Sequence, residues 1–324
     1  MTAYGKLRLG SRASALALAQ SRMVADAVRR KTGRDVELVE ITTVGDRSTA
    51  PVANLGVGVF VSALRDALTA KEIDFAVHSY KDLPTSLHEG PGPRGSTAPR
   101  TFGEGLRIAA VPPREDPRDV LVARDGLTLT ELPDGARLGT GAIRRIAQIA
   151  ALGRNLECVP IRGNVDTRLR KVAKGELDGV VLARAGLSRL GRAAEATEIL
   201  DPMLMLPAPA QGALAVECRE DDDELLELLA ALDDPGTRAA VTAERALLAE
   251  LEAGCSAPVA ALAEIAEGDI GPEIYLRGAV FSPDGRFAVR LSRTGTLAEA
   301  EQVGRLLAAH LLAEGADSVL GSTA

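Results

Sequence analysis

The stretch from Leu138 to Arg168 constrains the fold of this 324-residue chain more than any other, because it repeats one local pattern. Each half begins as a short strand, breaks at glycine and resumes as a helix. The halves contain Gly139-Thr140-Gly141-Ala142-Ile143-Arg144-Arg145 and Pro160-Ile161-Arg162-Gly163-Asn164-Val165-Asp166-Thr167-Arg168. Strands that alternate with helices in this way are typical of an α/β fold with a parallel-type sheet.

The arginines of this stretch fall at or near predicted helix N-termini, where a cation opposes the helix dipole. Backbone N–H groups at these ends favour anions, and guanidinium binds carboxylate or phosphate through two parallel hydrogen bonds. The alternative is a solvated helix face, which usually has acidic partners four residues away. Arg144 and Arg145 instead have Ile143, Ile146 and Gln148 around them. We therefore expect a bound anion.

Charge and aromatic content limit the kind of ligand that this segment can bind. Residues 137–192 hold twelve Arg/Lys and four Asp/Glu in a chain of net charge −7, so the positive charge is local. The same segment lacks Phe, Tyr and Trp, so single-stranded bases would have nothing to stack on. We expect a small polyanion and no nucleic acid.

Cysteine usage and hydropathy indicate the compartment. Cys158, Cys218 and Cys255 are far apart and form no CxxC pair, which argues against a disulfide framework or a zinc site. The apolar run at 13–19 is too short to span a membrane and lacks a cleavage signature. We expect a cytoplasmic protein with no bound metal and no membrane association.

Arg12 stands between a predicted strand at 6–10 and a predicted helix at 14–32, for which Ser14 is a plausible N-cap. Ligands bind at such strand ends in open α/β sheets, but a surface arginine fits this position equally well. The apolar side of the helix is predicted to contain Leu16, Ala19, Met23, Ala27 and Val28.

Lys81 and Asp82 come directly after a short apolar strand predicted at 73–78. A solvated turn is the commoner place for an arbitrary Lys-Asp pair, but the carboxyl edge of the sheet favours a functional role. His78 ends the strand and is interpreted as a hydrogen-bonded structural residue.

Two proline-rich passages, at 112–117 and 201–209, predict that one domain is inserted in another. The predicted division has a first domain of 1–112 with 207–230, an inserted second domain of 113–206, and a third domain of 231–324. We expect the first two to be doubly wound α/β domains. The third is predicted to be a small α+β domain with a three-stranded antiparallel sheet and a tight turn at Asp284-Gly285.

Cys255 follows Gly254 at the predicted end of a helix, and so falls in a loop. A cysteine just past a helix end is usually inert core. The loop position, flanked by Gly254 and Ser256, better suits a thiol that must be reached. No histidine is near in sequence, so a protease-like role is weak and covalent tethering remains the functional alternative.

Taken together, the motifs resemble those of the hydroxymethylbilane synthase family, also called porphobilinogen deaminases, over about residues 7–264. The motifs are Arg12 with Ser14, His78-Ser79-Tyr80-Lys81-Asp82, Arg144-Arg145, Arg162-Gly163-Asn164 and Gly254-Cys255. The resemblance implies two domains like type II periplasmic binding proteins around a cleft, and a third that bears the cysteine. It also implies a dipyrromethane cofactor joined by a thioether to Cys255.

The activity implied by the resemblance is the head-to-tail addition of four porphobilinogen units with loss of ammonia, followed by hydrolysis to hydroxymethylbilane, in porphyrin and haem biosynthesis. We expect a monomer whose partner is porphobilinogen. The implied catalytic residue is Asp82, by electrostatic stabilisation and proton handling. The implied cofactor-binding residues are Cys255, Ser14, Lys81, Asp82, Thr140, Arg144, Arg145, Arg162 and Arg168. The implied substrate-binding residues are Arg12, Ser14, Arg145, Arg168 and Arg189.

The chain departs from the family pattern in a few places. Val57 stands where a lysine is common, Ala142 where a serine is common, and Ala210 where glycine is usual, while 88–105 looks like an insertion. The rival interpretation is a cytosolic solute-binding or effector-sensing module of the periplasmic-binding type, which holds a dicarboxylate and leaves Cys255 inert. Such a module would need one or two arginines.

Overall fold

The computed structural model describes residues 5–41, 59–85, 105–251, 257–268 and 271–320. The predictions for Val57, for 88–104 of the insertion, and for Gly254 and Cys255 lie outside these residues. The strands are β1 (Leu7–Ser11), β2 (Val36–Glu40), β3 (Phe75–Ser79), β4 (Leu106–Ala110), β5 (Asp119–Ala123), β6 (Arg137–Gly139), β7 (Glu157–Val159), β8 (Gly179–Ala183), β9 (Glu198–Ile199), β10 (Leu214–Arg219), β11 (Val259–Gly268), β12 (Gly271–Phe281) and β13 (Ala288–Thr296). The α-helices are α1 (Ala15–Thr32), α2 (Val59–Thr69), α3 (Ile143–Ala151), α4 (Val165–Ala173), α5 (Arg184–Arg189), α6 (Asp223–Ala230), α7 (Pro235–Glu250), α8 (Ala300–Leu311) and α9 (Asp317–Leu320).

The chain divides into two compact units. Unit 1 consists of Met1–Pro113 and Leu214–Asp234, and unit 2 of Arg114–Ala213 and Pro235–Ala324. Unit 2 therefore contains nearly all the residues predicted for the second and third domains. The three-domain division stays a prediction.

Unit 1 has a five-stranded sheet in the order β2-β1-β3-β10-β4. Side chains alternate across the strands, so each strand can bury residues on both faces. On one face α1 and α6 cover Phe75 and Val77 of β3, and on the other α2 covers Ala76. Helices on both faces make this unit doubly wound, as predicted.

Unit 2 has a second five-stranded sheet, in the order β7-β6-β8-β5-β9. Helix α3 packs on one face through Ile149, and α4 packs on the other through Leu169 and Val172. This sheet is also doubly wound, so the predicted fold class is confirmed.

The predicted parallel-type sheet is correct only in part, because both sheets are mixed. In unit 1, β10 runs antiparallel to β3 and β4, and in unit 2, β5 runs antiparallel to β8 and β9. Strands joined by a crossover helix within one sheet are held parallel. Each of these two strands instead enters its sheet directly from a connecting passage, so that constraint does not apply.

The remaining sheet of unit 2 is three-stranded and antiparallel, in the order β11-β12-β13, as predicted. Helices α7 and α8 cover one face, and the other face packs Phe281 against Ala147 of α3. The β12–β13 turn lies so close to α3 that a Cβ at Gly285 would be 2.5 Å from the amide nitrogen of Ala151. The antiparallel sheet therefore supports the helix that carries Arg144 and Arg145.

Candidate functional site

Asp82 lies where the sequence placed it, at the carboxyl end of β3. A single 3₁₀ turn, Tyr80–Asp82, follows the strand directly and is closed by the Leu83 amide, which donates to the Tyr80 carbonyl at 3.2 Å. The Asp82 side chain is exposed and Lys81 is half-buried. A carboxylate in this position is available to a ligand at the sheet edge.

The end of β3 is fixed by side chains on both faces. His78 is buried, with Nε2 3.0 Å from Oε2 of Glu217, which confirms its interpretation as a hydrogen-bonded structural residue. Gln20 of α1 donates from Nε2 to Oγ of Ser79 at 3.0 Å. These hydrogen bonds hold the end of β3, where the Asp82 turn begins.

Arg12 and Ser14 lie at the same edge of the sheet. β1 runs parallel to β3, with Leu9 opposite Phe75, so the carboxyl ends of both strands meet there. Ser14 is the N-cap of α1, as predicted, and its Oγ accepts from the Ala17 amide at 3.3 Å. Unit 1 thus brings Arg12 and Ser14 to the edge that carries Asp82.

In unit 2 the Arg144-Arg145 pair lies in the first turn of α3 and is buried. Both guanidinium groups converge on Asp119 of β5, which is completely buried. Arg144 Nη1 donates to Oδ2 at 2.7 Å, and Arg145 Nη2 donates to Oδ1 at 2.7 Å. No acidic residue lies four residues from either arginine along the helix. The acidic partner is instead supplied by β5, a strand that lies well before the helix in the sequence.

Asp119 is ionised in this setting. Burial alone raises the pKa of a carboxyl group, but the charges of Arg144 and Arg145 outweigh it and hold the pKa of Asp119 well below its usual range. Gln211 adds a hydrogen bond from Nε2 to Oδ1 at 2.8 Å. Sequence reasoning missed both Asp119 and Gln211, because no local pattern connects either residue to the arginine pair.

Arg145 has more donor capacity than the described residues use. Its Nη1 donates to the Val181 carbonyl at 2.8 Å, but its buried Nε has no hydrogen-bond partner among the described residues. Burial, and then the charge of Arg145, lower the pKa of Arg168 in α4. Two neighbouring cations that share one buried carboxylate leave positive charge uncompensated, which favours an anionic ligand.

The other predicted residues of unit 2 lie on the same sheet and its connections. Thr140 is completely buried at the end of β6, and its Oγ1 accepts from the Ala142 amide at 3.3 Å. Arg162 is exposed in the turn before α4. Arg189, at the end of α5, donates from Nη2 to the Gly212 carbonyl at 2.6 Å, and burial lowers its pKa to about 10.

Two of the three cysteines lie in strands. Cys218 is buried in β10, and burial raises its pKa to about 12. Cys158 is half-buried in β7, and burial raises its pKa as well. Thiols with raised pKa values are poor nucleophiles near neutral pH. Cys255 lies outside the described residues.

Within the ranges described, no group of three or more His, Cys, Asp or Glu residues could hold a metal ion. The described helices also include none that is both long and apolar enough to cross a membrane.

Comparison of the sequence with family models identifies the family of this chain. Residues 7–92 and 97–227 match the family model described as "Porphobilinogen deaminase, dipyromethane cofactor binding domain", and residues 238–313 match "Porphobilinogen deaminase, C-terminal domain". The chain belongs to the porphobilinogen deaminase family. This membership supports the enzyme over the solute-binding alternative.

Relatives within the porphobilinogen deaminase family are similar along almost the whole chain. The porphobilinogen deaminase of Nocardia farcinica is 57% identical over 97% of this chain and 88% of its own length. Porphobilinogen deaminase 1 of Streptomyces coelicolor is 57% identical over 98% of both chains. The porphobilinogen deaminase of Mycobacterium bovis is 54% identical over 97% of this chain and 98% of its own.

The solved structures to which this chain is similar include substrate-binding proteins. The methionine-binding protein MetQ is 15% identical, with a TM-score of 0.42 over 69% of this chain and 88% of its own. A periplasmic substrate-binding protein of an ABC transporter from Coxiella burnetii is 14% identical, with a TM-score of 0.42 over 72% and 94%.

Proposed function

We propose that this member of the porphobilinogen deaminase family acts as a hydroxymethylbilane synthase through the residues described above. The reaction joins four porphobilinogen units head to tail, releases one ammonia for each unit added, and ends with hydrolysis to the linear tetrapyrrole. A dipyrromethane group bound covalently to the protein supplies the primer from which the chain grows.

The observation that carries this proposal is the uncompensated positive charge at Arg145. Arg144 and Arg145 share the single charge of Asp119, the Arg145 Nε lacks a partner among the described residues, and Arg168 adds a further cation. Every pyrrole of the cofactor and of the growing chain carries an acetate and a propionate. A buried, unbalanced arginine cluster fits a ligand that accumulates carboxylates.

The residues of unit 2 are proposed to bind these carboxylates. Arg145 and Arg168 would bind both cofactor and substrate, and Arg189 would bind substrate. The cofactor contacts are completed by Thr140, Arg144 and Arg162. Burial lowers the pKa of Arg189 to about 10, so its guanidinium remains charged at neutral pH. Each of these arginines therefore presents a cation to an acidic side chain, and Thr140 presents a hydroxyl.

Asp82 is proposed to be the catalytic residue, with Arg12, Ser14 and Lys81 as its neighbours in binding. Loss of ammonia from porphobilinogen leaves a cationic electrophile, and attack by a pyrrole carbon places positive charge on the ring nitrogen of the attacking pyrrole. A carboxylate held by a fixed turn stabilises both charges and can accept or return the proton. The tether is proposed to be a thioether to the sulfur of Cys255.

We further propose that the protein is a cytoplasmic monomer, in keeping with a biosynthetic enzyme that acts on the small metabolite porphobilinogen.

Intact-mass spectrometry of the purified protein tests the proposal directly. The measured mass should exceed the sequence mass by two deaminated porphobilinogen units, and the protein should turn pink with an acidic aldehyde reagent. Incubation with porphobilinogen should release ammonia and form hydroxymethylbilane. A bare sequence mass together with no consumption of porphobilinogen would refute the proposal.

A further inference from the structure

A buried charge network in unit 1 lies directly before the Asp82 turn. Glu217 of β10 lies between Arg65 of α2 and His78 of β3, and all three side chains are at least nine-tenths buried. Arg65 donates from Nη2 to Oε1 at 2.7 Å, and from Nε to both carboxylate oxygens at 3.0 and 3.1 Å. His78 completes the network at the second oxygen.

The network fixes the hydrogen on His78. Arginine is always charged in proteins, so its bidentate contact identifies Glu217 as the carboxylate. A carboxylate only accepts hydrogen bonds, so the His78 nitrogen that faces it, Nε2, carries a hydrogen. The charge of Arg65 balances that of Glu217. A second proton on His78 would therefore add a buried cation with nothing to compensate it.

The neighbouring charges do not disturb this balance. Arg219, two residues along β10 from Glu217, pairs with Asp222 at 3.2 Å and lies 3.9 Å from Asp74. Among the described residues, the side chains that hydrogen-bond to the Glu217 carboxylate are those of Arg65 and His78. The protonation of His78 is thus set by Glu217, which it contacts, and by Arg65, which balances the charge of Glu217.

The contact between Glu217 and His78 acts on Asp82 through the backbone. His78 is fastened on the α2 face of the sheet by Glu217, and Ser79, the next residue, is fastened on the α1 face by Gln20. The turn that carries Asp82 begins at the residue that follows. The two anchors hold His78 and Ser79 on opposite faces of the sheet, directly before the turn.

We propose that Glu217 is a positioning residue for the reaction, which fixes the Asp82 turn through His78, and that Arg65 keeps His78 neutral with its hydrogen on Nε2. This inference rests on the proposed role of Asp82. Arg65 therefore determines the protonation of His78 in addition to its role in packing.

Nitrogen-15 NMR of histidine-labelled protein tests the charge balance without any turnover. The chain has three histidines, His78, His88 and His310, so assignment by substitution is simple. At neutral pH the His78 ring should be neutral with hydrogen on Nε2. Arg65→Met should convert it to the imidazolium form, because the charge of Glu217 is then unbalanced, whereas Arg65→Lys should keep it neutral. An unchanged His78 signal in Arg65→Met, or an imidazolium in the wild type, overturns the proposal.

Kinetics of cofactor-loaded protein tests the positioning role. Glu217→Gln should lower kcat by about tenfold or more with KM nearly unchanged, because a small misplacement of a catalytic group is costly. The matched control is Asp74→Asn, which removes a carboxylate that Arg8 binds at 2.8 Å just before the other end of β3. It should destabilise the protein but leave kcat unchanged. Equal loss of kcat in both variants, or none in Glu217→Gln, overturns the positioning role.

The catalytic role of Asp82 and the positioning role of Glu217 can be tested separately. If Asp82→Asn turns over normally, the proposed catalytic assignment is wrong, whatever the NMR shows. If Asp82→Asn is inactive while Glu217→Gln has wild-type kcat, the positioning role alone is wrong.

Discussion

Arg144 donates two hydrogen bonds to Asp119, from Nη1 at 2.7 Å and from Nη2 at 3.3 Å, and both side chains are buried. The same guanidinium also donates to the Leu206 carbonyl and to Gln211 Oε1. Arg145 shares the carboxylate but retains a buried Nε with no partner among the described residues. The two adjacent arginines are therefore not equivalent, and their variants should differ.

Arg144→Leu should act mainly on stability and Arg145→Leu mainly on the cofactor. Removing Arg144 breaks its two hydrogen bonds to Asp119 and its hydrogen bond to Gln211, and should cost about 3 kcal/mol of unfolding free energy, the low end for a buried pair because Arg145 still balances Asp119. Arg145→Leu leaves Asp119 paired with Arg144, so the fold should persist while intact mass shows little or no cofactor. Arg170→Leu, at an exposed position of α4, is the control. Full cofactor content and normal turnover in both variants would mean that the pair does not bind the cofactor.

Asp82→Asn should lower turnover on the order of a hundredfold or more, because it removes the charge and keeps the shape of the side chain. The covalent cofactor should still be detectable by intact mass, which separates catalysis from assembly. Asp66→Asn removes an exposed carboxylate from α2 of the same unit and should leave turnover unchanged. Near-normal turnover in Asp82→Asn would contradict its role.

Cys255→Ser should lack the covalent adduct and be inactive. Cys158→Ser and Cys218→Ser should keep both, because burial raises the pKa of each of these strand thiols and makes them poor nucleophiles. Intact mass and turnover of the three variants check this directly. Loss of the adduct in a strand variant that remains folded would place the tether elsewhere.

Ala210→Gly should stabilise the protein by about 1 kcal/mol. Ala210 has a φ of 60°, in the left-handed region where a Cβ is unfavourable and glycine is not. The gain is reduced by the lost methyl contacts, since Ala210 is completely buried. Denaturant unfolding measures the difference. Ala213→Gly, buried nearby outside that region, should destabilise instead, and an equal loss in both variants would argue against strain at Ala210.

Acid should remove the contribution of Asp119 to stability. Its folded pKa lies below the ordinary value of 3.8, so the contribution is fully present above that value and is lost as pH falls through the folded pKa. The wild-type unfolding free energy should therefore fall steeply below about pH 4. Asp119→Asn should show a flatter dependence in that range. Glu217→Gln, which removes another carboxylate with a lowered pKa, should flatten it in a similar way.

Local patterns predicted most of the elements and the positions of the site residues on them. Ser14 was identified as the N-cap of α1, and Asp82 was placed at the carboxyl end of β3, because capping and strand alternation depend on neighbours in the sequence. The buried partners could not be predicted in this way. Asp119 and Glu217 lie in strands far along the chain from the arginines that they bind, and a single acidic residue in a strand carries no signal of its partner.

Tertiary partners that local patterns do not reveal also explain why the predicted apolar side of α1 is partly wrong. Met23 was predicted on the apolar side but is 46% exposed, while Gln20 and Ser21 are buried. Ser21 bonds to the hydroxyl of Ser11 at 2.9 Å, and Gln20 bonds to Ser79. Burial of these polar groups is acceptable because side chains of β1 and β3 satisfy their hydrogen bonds. Hydropathy alone ranks methionine above both.

The position of β10 between β3 and β4 has a consequence for biosynthesis. Both neighbours are translated before residues 114–213, and β10 is translated after them. Until residues 214–219 leave the ribosome, β3 and β4 each lack the hydrogen-bonding partner that separates them in the finished sheet. Unpaired strand edges readily join other chains. The nascent first unit should therefore depend on chaperones until that strand arrives, and truncation before Leu214 should yield aggregates rather than a folded fragment.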